Sequence, residues 1–152
     1  MKKISLSMGL ALLLLGGSVV SAQTSSAHQE TPSLYKRLGG YDALAAVTDE
    51  FVKRLVEDKQ LTRFFNGVST DSRKRIRQLV LDQLCAATGG PCIYIGRSMK
   101  TVHEGLGITE DDWNVSVKLL TETLDKFKVG KAEKDDLLKA LTTLKPDIVE
   151  KR

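Results

Sequence analysis

Residues 85–108, CAATGGPCIYIGRSMKTVHEGLGI, hold both cysteines of the chain and one of its two histidines. Three chemistries that such a stretch suggests fail on spacing. A thiol oxidoreductase wants two residues between its cysteines, and Cys85 and Cys92 have six. Covalent c-type heme needs a histidine directly after a cysteine pair, which His103 is not. A structural zinc site wants four ligands; Cys85, Cys92 and His103 leave one missing, and His28 sits in a polar lead. What remains is a disulfide from the end of one helix to the loop beyond its turn. The alternative is two separate thiols, one in the helix and one on the loop. Closing the eight-residue loop 85–92 would contribute about 2–3 kcal/mol by chain entropy.

The residues on either side predict helices. Gly89-Gly90-Pro91 ends the helix bearing Cys85, because glycine accepts the left-handed closing conformation and proline cannot continue a helix. Ser69, Thr70 and Asp71 can cap its start, and Ile76, Leu79, Val80, Leu84 and Ala87 recur along it at helical spacing. Downstream, a short helix over about 98–104 is broken by Gly105 and Gly107. Thr109 with Asp112 resembles a capping box, Asp replacing the usual Glu or Gln. It opens a long helix with Trp113, Val117, Leu120, Leu124 and Phe127 on one side. After Val129-Gly130, a last helix carries Leu137, Leu138, Leu141 and Leu144 and ends before Pro146. Upstream, SLYKRL is a short helix stopped by Gly39-Gly40, and Leu44, Val47, Phe51 and Leu55 mark an amphipathic helix over 41–59. LTRFF, 61–65, is an apolar turn. No strand alternation and no internal repeat is found, so the fold class is all-α.

The first residues predict the compartment. A basic MKK, an apolar run over 4–20 and the small residues of SVVSAQ have the anatomy of a secretory signal peptide, 1–22, cleaved after Ala22. The apolar run is short for a membrane span, and no cysteine near the cut offers a lipid anchor, so no membrane anchor is expected after cleavage. The protein is then exported, periplasmic or secreted. Residues 23–32 are a polar, flexible lead, and 33–152 form one domain with a modest core. Of 23 basic and 19 acidic residues, cleavage removes Lys2 and Lys3 and no acid, leaving 21 against 19. That balance is too mild to argue for nucleic acid, and Arg73-Lys74-Arg75 with Arg77 reads as a solvated helix face.

Taken in order, LYKRLGG (34–40), FVKRLVEDKQLTRFF (51–65), ATGGP (87–91) and the Y-x-G-x-x-M-K-x-x-H run (94–103) resemble the group I truncated hemoglobins. The likeness spans about 33–148 and rests on the order and spacing of all four motifs. It implies a truncated, two-over-two globin fold with a short first helix and a short proximal helix. It also implies a b-type heme (iron protoporphyrin IX) ligated by His103, whose second ring nitrogen would be oriented by a backbone carbonyl near Met99. Phe65 matches the phenylalanine on the heme plane, with Phe64 behind it and Val102 an apolar neighbour of the ligand. Arg97 and Lys100 are candidate propionate partners, and Tyr94 sits at the same edge.

The chain departs from the family on the distal side. Val52 stands where the family usually has a ligand-holding tyrosine, and Ile76, Leu79 and Val80 form an apolar heme-facing stripe. Gln83 is its one polar group, and Gln78 lies half a turn off it, toward water. O2 gains about 1.5–3 kcal/mol from a charge-assisted hydrogen bond, so its loss predicts O2 release faster by roughly ten- to a hundredfold. NO and CO depend less on such a donor. The resemblance therefore implies an exported binder of O2, NO and CO, tilted toward the last two. The second reading is a heme enzyme, an NO dioxygenase or peroxidase with an electron donor still to be identified. The third is a helical interaction module without heme.

Overall fold

The computed structural model describes residues 31–150, which are all-α. The expected signal peptide, its cut after Ala22, and the lead up to residue 30 with His28 lie outside the described residues. Seven α-helices are found among the described residues: α1 (Leu34–Arg37), α2 (Gly40–Glu57), α3 (Thr70–Ala87), α4 (Met99–His103), α5 (Glu110–Lys126), α6 (Lys131–Thr142) and α7 (Lys145–Ile148). A 3-10 turn, Thr62–Phe65, joins α2 to α3.

Local chemistry sets the ends of these elements. Gly39 at φ +94° and Gly40 at φ +78° turn the corner after α1, and α2 already begins at Gly40. The Ser69 hydroxyl caps α3 by accepting the Ser72 N–H at 3.2 Å. At its other end Gly89 N–H donates to Ala86 C=O at 3.1 Å and Gly90 N–H to Cys85 C=O at 2.8 Å, a Schellman closure. The backbone is crowded there, since a Cβ on Gly90 would lie 2.5 Å from the Tyr35 ring and 2.7 Å from Cys85 Sγ. Tyr35 N–H, donating to Thr88 C=O at 2.8 Å, docks α1 against this corner.

The same closure ends α5, with Val129 N–H on Leu124 C=O at 3.0 Å and Lys128 N–H on Asp125 C=O at 2.9 Å. Lys128 holds the left-handed position at φ +57° with a side chain that resists it. Lys128→Gly is therefore expected to stabilise the fold by about 0.5–1 kcal/mol, read as a higher urea midpoint at unchanged slope.

In the core, α2 packs on α3 and α5, α5 meets α6, α1 lies on α2 and α6, and α4 meets α7. Val47, Leu84, Leu120, Leu124 and Leu137 form the main buried cluster, and Leu44, Leu81 and Cys85 a second one. Arg37 ties α1 to Glu133 (2.9 Å) and Asp136 of α6, and Arg77 grips Asp49 of α2 through two bonds of 2.6 and 2.9 Å. Arg77 is thus a link between helices and not part of a purely solvated face.

Three core expectations shift. Phe127 caps the end of α5 and is 40% exposed, because the helix closes before its side chain can turn inward. Ala87 is exposed at the last turn of α3. Leu144 lies outside α6, and the chain resumes as α7 with Pro146 in its first turn, where a missing N–H costs nothing.

Candidate functional site

A cavity of about 840 Å³ opens among α2, α3, α4, α5 and the last two helices. From α3 come Ile76, Leu79, Val80 and Gln83; from α2 and the 3-10 turn come Phe51, Leu55, Phe64 and Phe65. The segment leading through α4 contributes Tyr94, Arg97, Met99, Val102 and His103, and α5 contributes Trp113, Val117 and Leu120. Eleven of the pocket residues singled out from the sequence are thereby brought to one surface.

Val52 and Lys100 are not on it. Phe51 and Leu55, four apart, share the cavity stripe of α2, and one residue further along a helix the side chain turns by about 100°. The same offset carries Lys100 away from Met99 and into solvent. Gln78 is exposed, donating to Asp82 at 2.8 Å and Tyr41 at 3.3 Å.

His103 is held in one orientation. The Ser98 hydroxyl caps α4 by accepting the Thr101 N–H at 3.2 Å. One turn on, His103 Nδ1 donates to the Met99 carbonyl at 2.7 Å. A carbonyl can only accept, so the proton of the neutral ring sits on Nδ1 and Nε2 keeps its lone pair. Beyond the helix, Gly105 and Gly107 take positive φ. Gly107 N–H then donates to the Glu150 carboxylate at 3.1 Å, while Glu150 N–H donates to Ile108 C=O at 2.9 Å. Residues after α7 therefore clamp the exit of α4.

Tyr94 supports the approach to α4. Its hydroxyl donates to Arg97 C=O at 2.8 Å, and its ring lies so close over Gly96 that a Cβ there would meet the hydroxyl at 2.2 Å. Burial raises its pKa against the opposing pull of Arg97, so it stays a neutral donor. Its hydroxyl is engaged by the backbone of its own loop.

Two cations reach the cavity without a carboxylate in ion-pair range among the described residues: Arg97 and Arg75. Asp112, which also lines it, is saturated. Its carboxylate accepts from Gln60 Nε2 (2.8 Å), Arg63 Nη2 (2.6 Å), Thr109 N–H (2.9 Å) and the Thr109 hydroxyl (2.8 Å). Burial alone would raise its pKa, yet these bonds, from the Thr109 backbone, Gln60, the Thr109 hydroxyl and Arg63, together hold it well below the usual carboxylate range. Arg63 also lies 4.4 Å over the Phe64 ring, so this network braces the phenylalanine wall. Gln83 is the one carboxamide on the cavity wall and makes no side-chain hydrogen bond among the described residues.

Cys85 and Cys92 are joined in a disulfide with Cα atoms 5.7 Å apart, which settles the alternative of two separate thiols. Among the described residues, no three of His, Cys, Asp and Glu cluster as ligands for a metal ion. The site offers one imidazole lone pair, apolar and aromatic walls, and two guanidinium groups with no carboxylate partner among the described residues. Those features suit a flat, apolar, dianionic cofactor that brings its own metal.

Comparison with known proteins agrees with that chemistry. Residues 33–150 match the model of the bacterial-like globin family. The group 1 truncated hemoglobin GlbN of Mycolicibacterium paratuberculosis is 34% identical over 119 residues, 78% of this chain and 85% of that protein. The group 1 truncated hemoglobin GlbN of Nostoc sp. is 32% identical over 121 residues, covering 78% and 98%. A crystal structure of a variant truncated hemoglobin from Tetrahymena pyriformis superposes with a TM-score of 0.73 at 25% identity, covering 79% of this chain and 100% of that one. The 2/2 hemoglobin of Synechococcus sp. PCC 7002, solved with covalently attached heme, gives 0.71 at 25% identity and the same coverage.

Proposed function

The chain belongs to the bacterial-like globin family, among the group 1 truncated hemoglobins, and on that premise we propose that it is an exported heme protein that binds diatomic gases. The observation that carries the reading is His103, locked through Nδ1 onto Met99 C=O so that Nε2 is its free ligand nitrogen. His103 would hold the iron of a b-type heme, Phe65 would pack on the macrocycle, and Arg97 with Arg75 would meet the propionates. When bound, the heme supplies an iron that takes O2, NO or CO.

The chain's own residues set the selectivity. Ile76, Leu79 and Val80 give the cavity an apolar side, and Val52, in the family's tyrosine place, is turned off it. Gln83 is the one carboxamide beside that stripe. Gas binding in this pocket relies on exclusion of water and shape more than on hydrogen bonding, which favours NO and CO over O2. Export is supported by the leader's composition and by the Cys85–Cys92 bond, since disulfides persist in oxidising compartments.

Absorption spectra of the purified protein, ferric and ferrous, with and without CO, test the reading. A Soret band that shifts on reduction and again with CO is expected, and absence of any such band after reconstitution would sink it. Stopped-flow release of O2 is expected to be roughly ten- to a hundredfold faster than in tyrosine-bearing relatives. Release as slow as theirs would overturn the selectivity argument.

A further inference from the structure

We propose that the Cys85–Cys92 disulfide is a reducible clasp at the corner after α3, behind the pocket wall, opened by a dithiol and controlling how firmly the pocket holds its cofactor. Only the last clause rests on the heme reading above. Cys85 sits on α3, the helix that also presents Ile76, Leu79, Val80 and Gln83 to the cavity. Cys92 sits on the segment that runs through Tyr94 and Arg97 to His103. The bond therefore ties the start of that segment to the last turn of α3, within the cluster of Leu44 and Leu81, by a link additional to the chain itself.

That segment has little else to hold it. Among the described residues, 91–97 make no backbone–backbone hydrogen bond. Ile93 and Ile95 are each 79% exposed, Ile95 at the mouth of the cavity, so packing holds the segment little. Its remaining anchors are the Tyr94 ring with its bond to Arg97 C=O, the Gly90 N–H on Cys85 C=O, and the Ser98 cap of α4. Cys92, packed against the cluster of Leu44, Leu81 and Cys85, fastens the start of the segment to the core.

Burial dictates the course of exchange. Cys85 is fully buried and Cys92 only partly so, so an incoming thiolate must attack Cys92 Sγ. The S–S bond breaks, Cys85 Sγ leaves as a thiolate and takes a proton, and Cys92 is left in a mixed disulfide. The second thiol of the dithiol then attacks its own partner sulfur, releasing Cys92 as a thiolate that is protonated in turn. The pair gains two electrons and two protons, and the dithiol becomes a disulfide. The partner is a dithiol oxidoreductase, for which the extended backbone and the exposed Ile93 beside Cys92 form an accessible docking strip. Cys85 afterwards remains a small apolar core residue, while residues 91–97 are free to move away from α3.

The test follows transfer of heme from the loaded protein to excess apomyoglobin, oxidised and after treatment with dithiothreitol, beside Cys92→Ser and the Cys85→Ala/Cys92→Ala double variant. Reduction and Cys92→Ser are each expected to speed release at least tenfold, with dithiothreitol having no effect on the double variant. Rates within twofold of the oxidised protein would overturn control of the cofactor. Amide exchange on the heme-free protein decides the clasp separately: reduction is expected to raise exchange at least tenfold over 92–103 while α2 and α5 keep theirs. Unchanged exchange there overturns the clasp. Failure to take up any heme would sink the function proposed above and leave the exchange result to decide.

Discussion

Replacing His103 by glycine is expected to weaken heme retention by more than about a hundredfold, since losing even a group that orients a ligand costs 10- to 100-fold. Added imidazole should restore the Soret band, because the substitution leaves a space shaped for that ring. The expectation follows from the tautomer. With Nδ1–H committed to Met99 C=O at 2.7 Å, Nε2 is the only lone pair His103 can offer the cavity. Among the described residues no other imidazole lines the cavity, and both cysteines are bonded to each other. The fold should tolerate the change, as His103 closes a five-residue helix outside both buried clusters. An unaltered spectrum and heme-transfer rate in His103→Gly would remove His103 from the site.

Asp112→Ala is expected to cost the heme-free protein about 3–4 kcal/mol, toward the range seen when a buried charge loses its partner set. About 1 kcal/mol of that is the lost return half of the capping box, the carboxylate on Thr109 N–H, while Thr109 Oγ1 still caps α5 by accepting the N–H of residue 112. The rest is the Gln60 amide and Thr109 hydroxyl left without an acceptor. Arg63 contributes less than its 2.6 Å contact suggests, because its side chain is 47% exposed and water can take over its charge. Asp112→Asn keeps the shape and one acceptor and should cost about half as much. The folded-state pKa of Asp112 lies below its ordinary 3.8. Its ionised form therefore stabilises the fold above that value, and the contribution drains away as pH falls below it. Urea midpoints measured from pH 7 down to pH 3 should show a smaller acid loss in Asp112→Asn than in the parent. Parallel profiles would mean that the carboxylate is not the acid-sensitive group.

Much of this architecture could be read from the sequence because its signals are local. Gly89-Gly90 announces a Schellman closure, Thr109 with Asp112 a capping box, and Ile76, Leu79 and Val80 a stripe, each within a few residues. The resemblance also implied a backbone carbonyl near Met99, one helical turn back, as the partner of the His103 ring. The misses are long-range. Gln60 and Arg63 lie 52 and 49 residues from Asp112, and no pattern in the chain links them. Arg75 was hidden inside a run of charges, although its neighbour Ile76 already faced the cavity. Val52 shows the limit of alignment: a family position transfers in sequence, while its side chain's direction depends on how this α2 is rotated against α3.

The Glu150 clamp has a consequence for the order of events during synthesis. Gly107 and Glu150 are 43 residues apart in sequence, so α4 has nothing to brace its exit until α5, α6 and α7 have all been made. A nascent chain can bury the α2–α3 pair early, but the histidine side of its pocket is finished last. Cofactor uptake would thereby wait for the chain through Glu150, and in a protein that crosses a membrane unfolded it would fall on the far side.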